Sequence, residues 1–509
     1  MKTPLLLLLF GAVCMNHLKA QQGYQSPFFP DSVQRLEKLR ATKEVVDRLY
    51  QQQATKNHFP AMAYGVMAYG RLLYTGMAGY INIEKKIPVT TTSAFRIASM
   101  SKSFTALAIV RLRDEGRLQL DEPASKYIPE LKKAKLLTTD APPVTIRHLL
   151  IHAAGFPEDN PWGDRQLAAS DKDLLELAGT ALFSTTPGTA YEYSNVGFAL
   201  LGRIISVVAR QPYQQYITEK ILKPLGMHNT VWEYAKVPGS KLALGYRWNG
   251  KEWKEEPLLH DGAYGAMGGL ITTLEDFEKY MALHMSAWPA RDDKEHGVIK
   301  RSSLREMQGA HNFSSLNPRF AYASGRPCAT ASAYGYGLRW MTDCEGKTFV
   351  GHTGGLPGFG SNWNILPEYG IGVVFFGNVT YAPTGTFNLS VLDTIVKMAG
   401  LKPREIPPSA VLQQRKEQLA QLLPHWNGNT NIFAANFFMD NDISYWKKYA
   451  ADLYSGIGKV VKVHGIVPQN NLRGSFVVEG EKGKVMVFFT LTPEANPLIQ
   501  ELRLTPLLP

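Results

Sequence analysis

Apolar residues recur at helical spacing near the start of the chain. Val33, Leu36, Leu39, Val46 and Leu49 fall on one side of a helix over residues 31–55. The stretch FPAMAYGVMAYGRLLYTGMAGYI then predicts a strand pair that turns near Gly70. Helical spacing returns in Phe104, Leu107, Ala108 and Leu112, with Gly116 as a C-terminal stop. From about 120 to 325, Pro and Gly punctuate a run of helices and loops. Strand-type text comes back in KTFVGHTGG, SNWNILP and GIGVVFFGN, with PEYG as the turn between the last two. Strands at both ends and helices between them predict one sheet completed by distant segments, with a helical region inserted.

A second pattern follows a Pro-rich break, LKPREIPPSA (401–410). VLQQRKEQLAQLL reads as a short helix. GKVVKVHGIV, RGSFVVEG and GKVMVFFTLT read as strands of a small α+β domain. The expected divisions are a signal peptide over 1–20, a main domain over 21–400, a linker and short helix over 401–430, and an accessory domain over 431–509.

Length and charge sharpen this division. A chain of 509 residues exceeds the usual span of a single domain. The net charge of +11 is spread without long basic runs, which argues against a nucleic-acid partner. The N-terminal MKTPLLLLLFGAVCMNHLKAQQ has a lysine, a short apolar run and a polar segment ending in Ala20. It predicts a secretory signal peptide cleaved after Ala20, and so a periplasmic or secreted protein. Its apolar run falls short of the ~20 residues of a membrane span, and no later stretch is apolar enough for one. Cys14 lies in this segment, but Val13 makes it a poor lipidation site. Cys328 and Cys344 remain after cleavage, either as a disulfide or as two thiols.

Candidate chemistry begins with Ser99 and Lys102, three residues apart and so on one helix face. Alone, the pair equally describes an N-cap serine and a surface lysine. Activating a serine hydroxyl needs a base and donors for the oxyanion. Two further segments offer them: Tyr193-Ser194-Asn195, just before a helical run, and GHTGG, His352 to Gly355, at the end of a predicted strand. HLLIH puts His148 and His152 at a zinc-like spacing, but it lacks the glutamate of H-E-x-x-H and a third ligand. GLPGFG lacks the dinucleotide order of glycines. Neither metal nor nucleotide cofactor is assigned.

Together and in this order, the three segments resemble the penicillin-recognising serine hydrolases, on the class C β-lactamase and D-peptidase branch. The resemblance covers about residues 55–400. It extends to EGRLQLDEPASKYIPEL, VTIRHLLIHAAGF, PGTAYEYSNVGFALLG, ILKPLGMHNT, GAMGGLITTLEDFEKY and GYGLRW. It implies an α/β fold: a β-lactamase-like antiparallel sheet flanked by helices, with a helical subdomain, here followed by the small C-terminal α+β domain. It implies Ser99 as the acylated nucleophile and Lys102 as the group that takes its proton or tunes its acidity. Tyr193 becomes a general base or acid, as a phenolate held by Lys102. Asn195 binds a substrate amide and orients Lys102, and the backbone N–H groups of Ser99 and Gly355 form an oxyanion hole.

The expected function is an exported serine hydrolase that cleaves a small-molecule or peptide acyl substrate. The alternative is an acyltransferase that hands the acyl group to an alcohol or amine. A non-catalytic binder of peptidoglycan fragments is the third reading, and intact Ser99, Lys102, Tyr193 and Asn195 argue against it. His352 stands where the family has the lysine of K-T-G. A histidine titrating near pH ~6.5 is mostly neutral at pH ~7. It pairs weakly with a substrate carboxylate, so β-lactam turnover is expected to be poor unless an arginine from elsewhere supplies the charge.

Overall fold

The computed structural model describes residues 24–295, 297–426 and 430–507. The expected signal peptide, with Cys14, lies outside the described residues. The chain divides into two compact units. One is Phe29–Arg404; the other is the described chain from Glu405 onward together with residues 24–28.

A nine-stranded sheet forms the centre of the first unit. In spatial order its strands are Ile87–Pro88, Arg71–Asn82, Ala61–Ala68, Ile371–Gly377, Phe359–Leu366, Thr348–Leu356, Arg339–Asp343, Thr330–Tyr334 and Asn312–Asn317. Every neighbouring pair is antiparallel. Strands from the two ends of the unit therefore meet at its middle, where Ala61–Ala68 pairs with Ile371–Gly377. Tyr69 and Gly70, both at positive φ, make the tight turn into Arg71–Asn82.

The central strands are buried along their whole length, because helices cover both faces. Alternate residues serve two cores. Ala63, Met67, Trp363 and Phe376 pack with Phe104 and Phe277 of the helices Ser101–Asp114 and Leu274–Met285. Met62, Tyr64, Val373 and Phe375 pack with Tyr50 and Leu392 of Lys43–Lys56 and Phe387–Met398. The helices of residues 98–308 include the inserted helical region.

The N-terminal pattern read as one helix is two, Ser32–Arg40 and Lys43–Lys56. Thr42 breaks the run and turns its hydroxyl back to the Leu39 carbonyl. The break changes the phase of the stripe. Leu39 and Val46 are buried, while Val33 is 96 % exposed. Cys328 and Cys344 form a disulfide. Among the described residues no helix is long and apolar enough to cross a membrane.

The C-terminal unit has a five-stranded sheet: Val460–Val463, Val467–Asn470, Arg473–Gly480, Lys484–Leu491 and Ile499–Leu507. The helix Ala410–Leu422, expected to stand with the linker, belongs to this unit's core through Leu412, Leu419 and Leu422. Ala450, Tyr454 and Ile457 of Ile443–Ile457 complete that core.

Candidate active site

The serine sits at a corner. The chain leaves the short strand Phe95–Arg96, turns through a 3₁₀ segment, Ala98–Met100, and enters the helix Ser101–Asp114. Ala98 takes φ +51°, a conformation L residues rarely adopt. The corner is held from outside. The Ile97 carbonyl accepts from Ser361 Oγ at 2.7 Å, and Ile97 N–H donates to Leu270 O at 3.0 Å. Gly354 makes the fit possible, because a Cβ there would collide with the Ile97 carbonyl oxygen. Ser99 thus lies two residues before a helix N-terminus, in a field that favours developing negative charge, with Gly355 on the adjoining strand.

Lys102 has no exposed surface. Its Nζ lies 3.0 Å from Ser99 Oγ, 2.7 Å from Asn195 Oδ1 and 2.9 Å from Met267 O. The rings of Tyr193 and Phe198 close the remaining sides, at 5.0 and 5.6 Å. Burial lowers the ammonium pKa to about 7 against the pull of the Asp164 and Asp159 carboxylates. An apolar setting disfavours the charged amine, and two nearby anions keep the shift from going further.

Asn195 opens the helix Asn195–Ala209, with Ser194 as its N-cap. The Asp159 carboxylate accepts from Asn195 N at 2.7 Å and Val196 N at 2.8 Å. It satisfies two of the orphan donors at the helix start and fixes Asn195 against Lys102. Tyr193 is buried, and its hydroxyl interacts with Ser99. Burial raises its phenol pKa well above the ordinary value, so the phenol, not the phenolate, is the resting form.

His352 departs from its expected role. It lies within the strand Thr348–Leu356, not at its end, and is 1 % exposed. Its Nδ1 donates to Thr353 O at 2.5 Å, and its Nε2 accepts from Tyr334 Oη at 2.7 Å. Both ring nitrogens are spent within the protein, so no donor is left for a substrate. Burial, then the charges of Arg339 and Lys102, hold its pKa well below 6.5.

Arg339 supplies the cation that sequence reasoning left without a residue. Its guanidinium stands 5.5 Å from the Tyr193 ring centroid, and the residue keeps exposed surface. It ends the run in which Arg339–Asp343 pairs with Thr348–Leu356; the last matched residue is Gly351. From His352 to Leu356 that edge of the strand is free of this partner, beside Ser99. The signal in sequence was slight: Arg339 is the arginine of GYGLRW.

His152, half of the zinc-like pair, also belongs to the site. Its Nδ1 accepts from Ser194 N at 3.1 Å, and its ring lies 4.3 Å from that of Tyr193. His148 instead accepts from Thr145 N through Nδ1 and caps its own helix. Away from the cleft, the carboxylates of Asp343, Glu345 and Asp393 converge. Lys347 Nζ stands 2.9 Å from Asp343 and 3.2 Å from Asp393, which makes this a salt-bridge network.

Comparison with known proteins bears on the family and the fold. The Beta-lactamase family model matches residues 46–392. Protein flp of Staphylococcus aureus (strain MW2) is 29 % identical over 351 residues, which cover 67 % of this chain and 64 % of that protein. The chain thus spans under two thirds of that relative. Beta-lactamase-like protein 2 of Dictyostelium discoideum is 25 % identical over 488 residues, covering 89 % of this chain and 84 % of that one. The octameric penicillin-binding protein homologue from Pyrococcus abyssi shares the fold with a TM-score of 0.58 at 22 % identity, over 91 % of this chain and 99 % of its own. The penicillin binding protein from Bacillus halodurans gives 0.53 at 24 %, over 68 % and 98 %.

Proposed function

The chain belongs to the beta-lactamase family of penicillin-recognising serine hydrolases, and from that premise we propose that it cleaves an amide or ester through an acyl-enzyme on Ser99. The observation that carries this reading is the buried Lys102 ammonium 3.0 Å from Ser99 Oγ. With its pKa lowered to about 7, half of the Lys102 side chains are neutral near that pH and can take the Ser99 proton. The raised pKa of Tyr193 argues against a phenolate and so supports Lys102 as the base. Oγ attacks the acyl carbon, and the backbone N–H groups of Ser99 and Gly355 receive the oxyanion. The proton that Lys102 took is relayed to the leaving group through Tyr193, which gives up its phenol proton as it receives that one, so that Lys102 is neutral and Tyr193 a phenol again. Asn195 holds Lys102 through Oδ1; its Nδ2 donates to Asn160 Oδ1 at 2.6 Å and the residue has no exposed surface, so it positions the base and the expected contact with a substrate amide is not free. Water then releases the acyl group.

Arg339 revises the expected substrate preference. A guanidinium beside the open strand edge pairs with a carboxylate on the leaving group, so a histidine at 352 does not by itself disfavour carboxylate-bearing substrates. A lysine at 352 would add a third cation near Lys102 and Arg339, and is not expected to improve turnover. The open edge also favours the second reading, acyl transfer, because an acceptor that carries a carboxylate docks where the leaving group left. Export follows from the N-terminal sequence and is part of the proposal.

A fluorophosphonate probe tests the reading. Mass spectrometry of the labelled protein is expected to find the adduct on Ser99 and none in Ser99→Ala. Labelling of another serine, or full labelling of the variant, overturns the mechanism. N-terminal sequencing tests export, with Gln21 expected as the first residue.

A further inference from the structure

Arg339 and Tyr193 mark one end of the cleft, and the other end holds a residue that the mechanism above does not use. The strand Thr348–Leu356 runs from Gly351, opposite Arg339, to Gly355, the proposed oxyanion donor. Successive residues of a strand turn to opposite faces. Gly354 abuts the Ile97 carbonyl of the Ser99 corner; Gly355 turns the other way, where a Cβ would lie 3.0 Å from Tyr381 Cδ1. Tyr381 follows the strand Ile371–Gly377, and its N–H donates to Leu356 O at 3.3 Å. Its φ is +50°, rare for an aromatic residue. From that face of the strand its side chain crosses to the helical region. The hydroxyl donates to Asp164 Oδ2 at 3.1 Å and accepts from Arg165 Nη1 at 3.4 Å. Asp164 Oδ1 lies 3.4 Å from Asn195 Nδ2, and Asn195 Oδ1 lies 2.7 Å from Lys102 Nζ. A continuous line of contacts thus runs from Gly355 through Tyr381, Asp164, Asn195 and Lys102 to Ser99.

We infer that Tyr381 is a specificity-determining residue, a wall across the acyl end of the cleft that restricts the enzyme to short acyl groups. The inference rests on the acyl-enzyme reading above. On that reading the leaving group takes its proton through Tyr193, and its carboxylate pairs with Arg339. The acyl chain leaves the same carbon in the opposite direction, away from Arg339 along the strand edge, and so toward Gly355 and the Tyr381 ring. That ring is tied at both ends, by the backbone N–H on Leu356 and by the hydroxyl between Asp164 and Arg165. To swing aside for a longer chain it must give up a hydrogen bond to a carboxylate that is 1 % exposed, and an unmade bond to a buried charged group is costly. Tyr381 itself keeps 38 % of its surface, so the wall stands at the mouth, where a substrate reaches it. Its positive φ belongs to the same picture, because backbone strain persists where surrounding contacts hold it and gathers at ligand-contact positions.

The test compares kcat/KM for 4-nitrophenyl acetate and 4-nitrophenyl hexanoate, which share a leaving group and differ only in the acyl chain. The wild-type protein is expected to favour the acetate about tenfold or more, the scale on which a pocket wall rejects added methylenes. Tyr381→Gly removes the ring and suits the positive φ. It should bring the acetate-to-hexanoate ratio down to about one. Tyr381→Asn, whose short side chain also tolerates this conformation, is expected to do the same, and it decides the matter if the glycine variant fails to fold. A ratio of two esters is not moved by a change that scales both rates, so a merely structural role for Tyr381 would leave it where it was. Wild-type protein that takes the hexanoate as readily as the acetate, or variants that lose activity on both esters equally, would overturn the wall while leaving Ser99 as the nucleophile. If turnover of both esters persists in Ser99→Ala, or if neither ester reacts, the acyl-enzyme reading falls and the wall with it.

Discussion

On the floor of the cleft, Lys102 has no exposed surface and three oxygen acceptors drawn from Ser99, Asn195 and Met267. On the strand-side wall, Arg339 keeps exposed surface and faces a tyrosine ring. Both are cations within one site, yet their environments suit opposite tasks. A base must lose its proton near neutral pH, and burial brings an amine there. A charge that selects carboxylates must persist at every working pH, and a guanidinium does so whether or not it is dry. On the proposed roles, the group that must titrate is the one with no exposed surface, and the group that must keep its charge is the one that retains some.

The sharpest way to break the comparison is to remove the buried cation. Lys102→Ala is expected to slow Ser99 acylation about 10²- to 10⁴-fold, measured as the rate of fluorophosphonate labelling. Lys102→Arg should fare no better, because a guanidinium does not give up its proton. Removal of the exposed cation should act on one substrate class. Arg339→Gln is expected to lower kcat/KM for a carboxylate-bearing ester about tenfold relative to its neutral methyl ester, the scale of one charged hydrogen bond. Equal losses on both esters would mean that Arg339 shapes the site and does not bind the carboxylate.

The pH profile separates the two cations further. With Lys102 titrating at about 7, its base form grows as pH rises, so acylation should increase about tenfold from pH ~6 to ~8. Asp164 raises that pKa, and Asp164→Asn should therefore move the rising limb to lower pH. A shift the other way would disprove the placement of that carboxylate. The smallest effect is expected at His152, which holds the backbone next to Tyr193. His152→Phe keeps a ring and removes the acceptor of Ser194 N–H. A loss of about fivefold in kcat is expected, the worth of one hydrogen bond, with KM and the pH limb unmoved. A displaced limb would show that His152 tunes Lys102 instead of positioning Tyr193.

Much of this was written locally. Strands such as GIGVVFFGN and the helix after Ser99 follow from short-range patterns of apolar residues, which local backbone preference and burial read in the same way. The spacing of Ser99 and Lys102 is a helical turn, and it put the two side chains together before any fold was known. The phase of the N-terminal helix was harder, because the two-residue break at Ala41–Thr42 carries no Pro or Gly to announce it.

Tertiary structure decided what each polar group can do. His352 looks like a substrate ligand in GHTGG, but Tyr334, 18 residues away in the chain, takes its Nε2. Asp159 lies in a loop and Asp164 in the 3₁₀ turn Gly163–Arg165, neither in a recognisable motif, and only folding brings their charges to Lys102. Arg339 becomes the cation of the cleft because its strand stops pairing at Gly351. Residue type and spacing set which side chains share an element. Burial, proton affinity and the direction of a hydrogen bond depend on what distant segments place around them, because solvation and electrostatic fields are properties of the assembled surroundings and not of the chain.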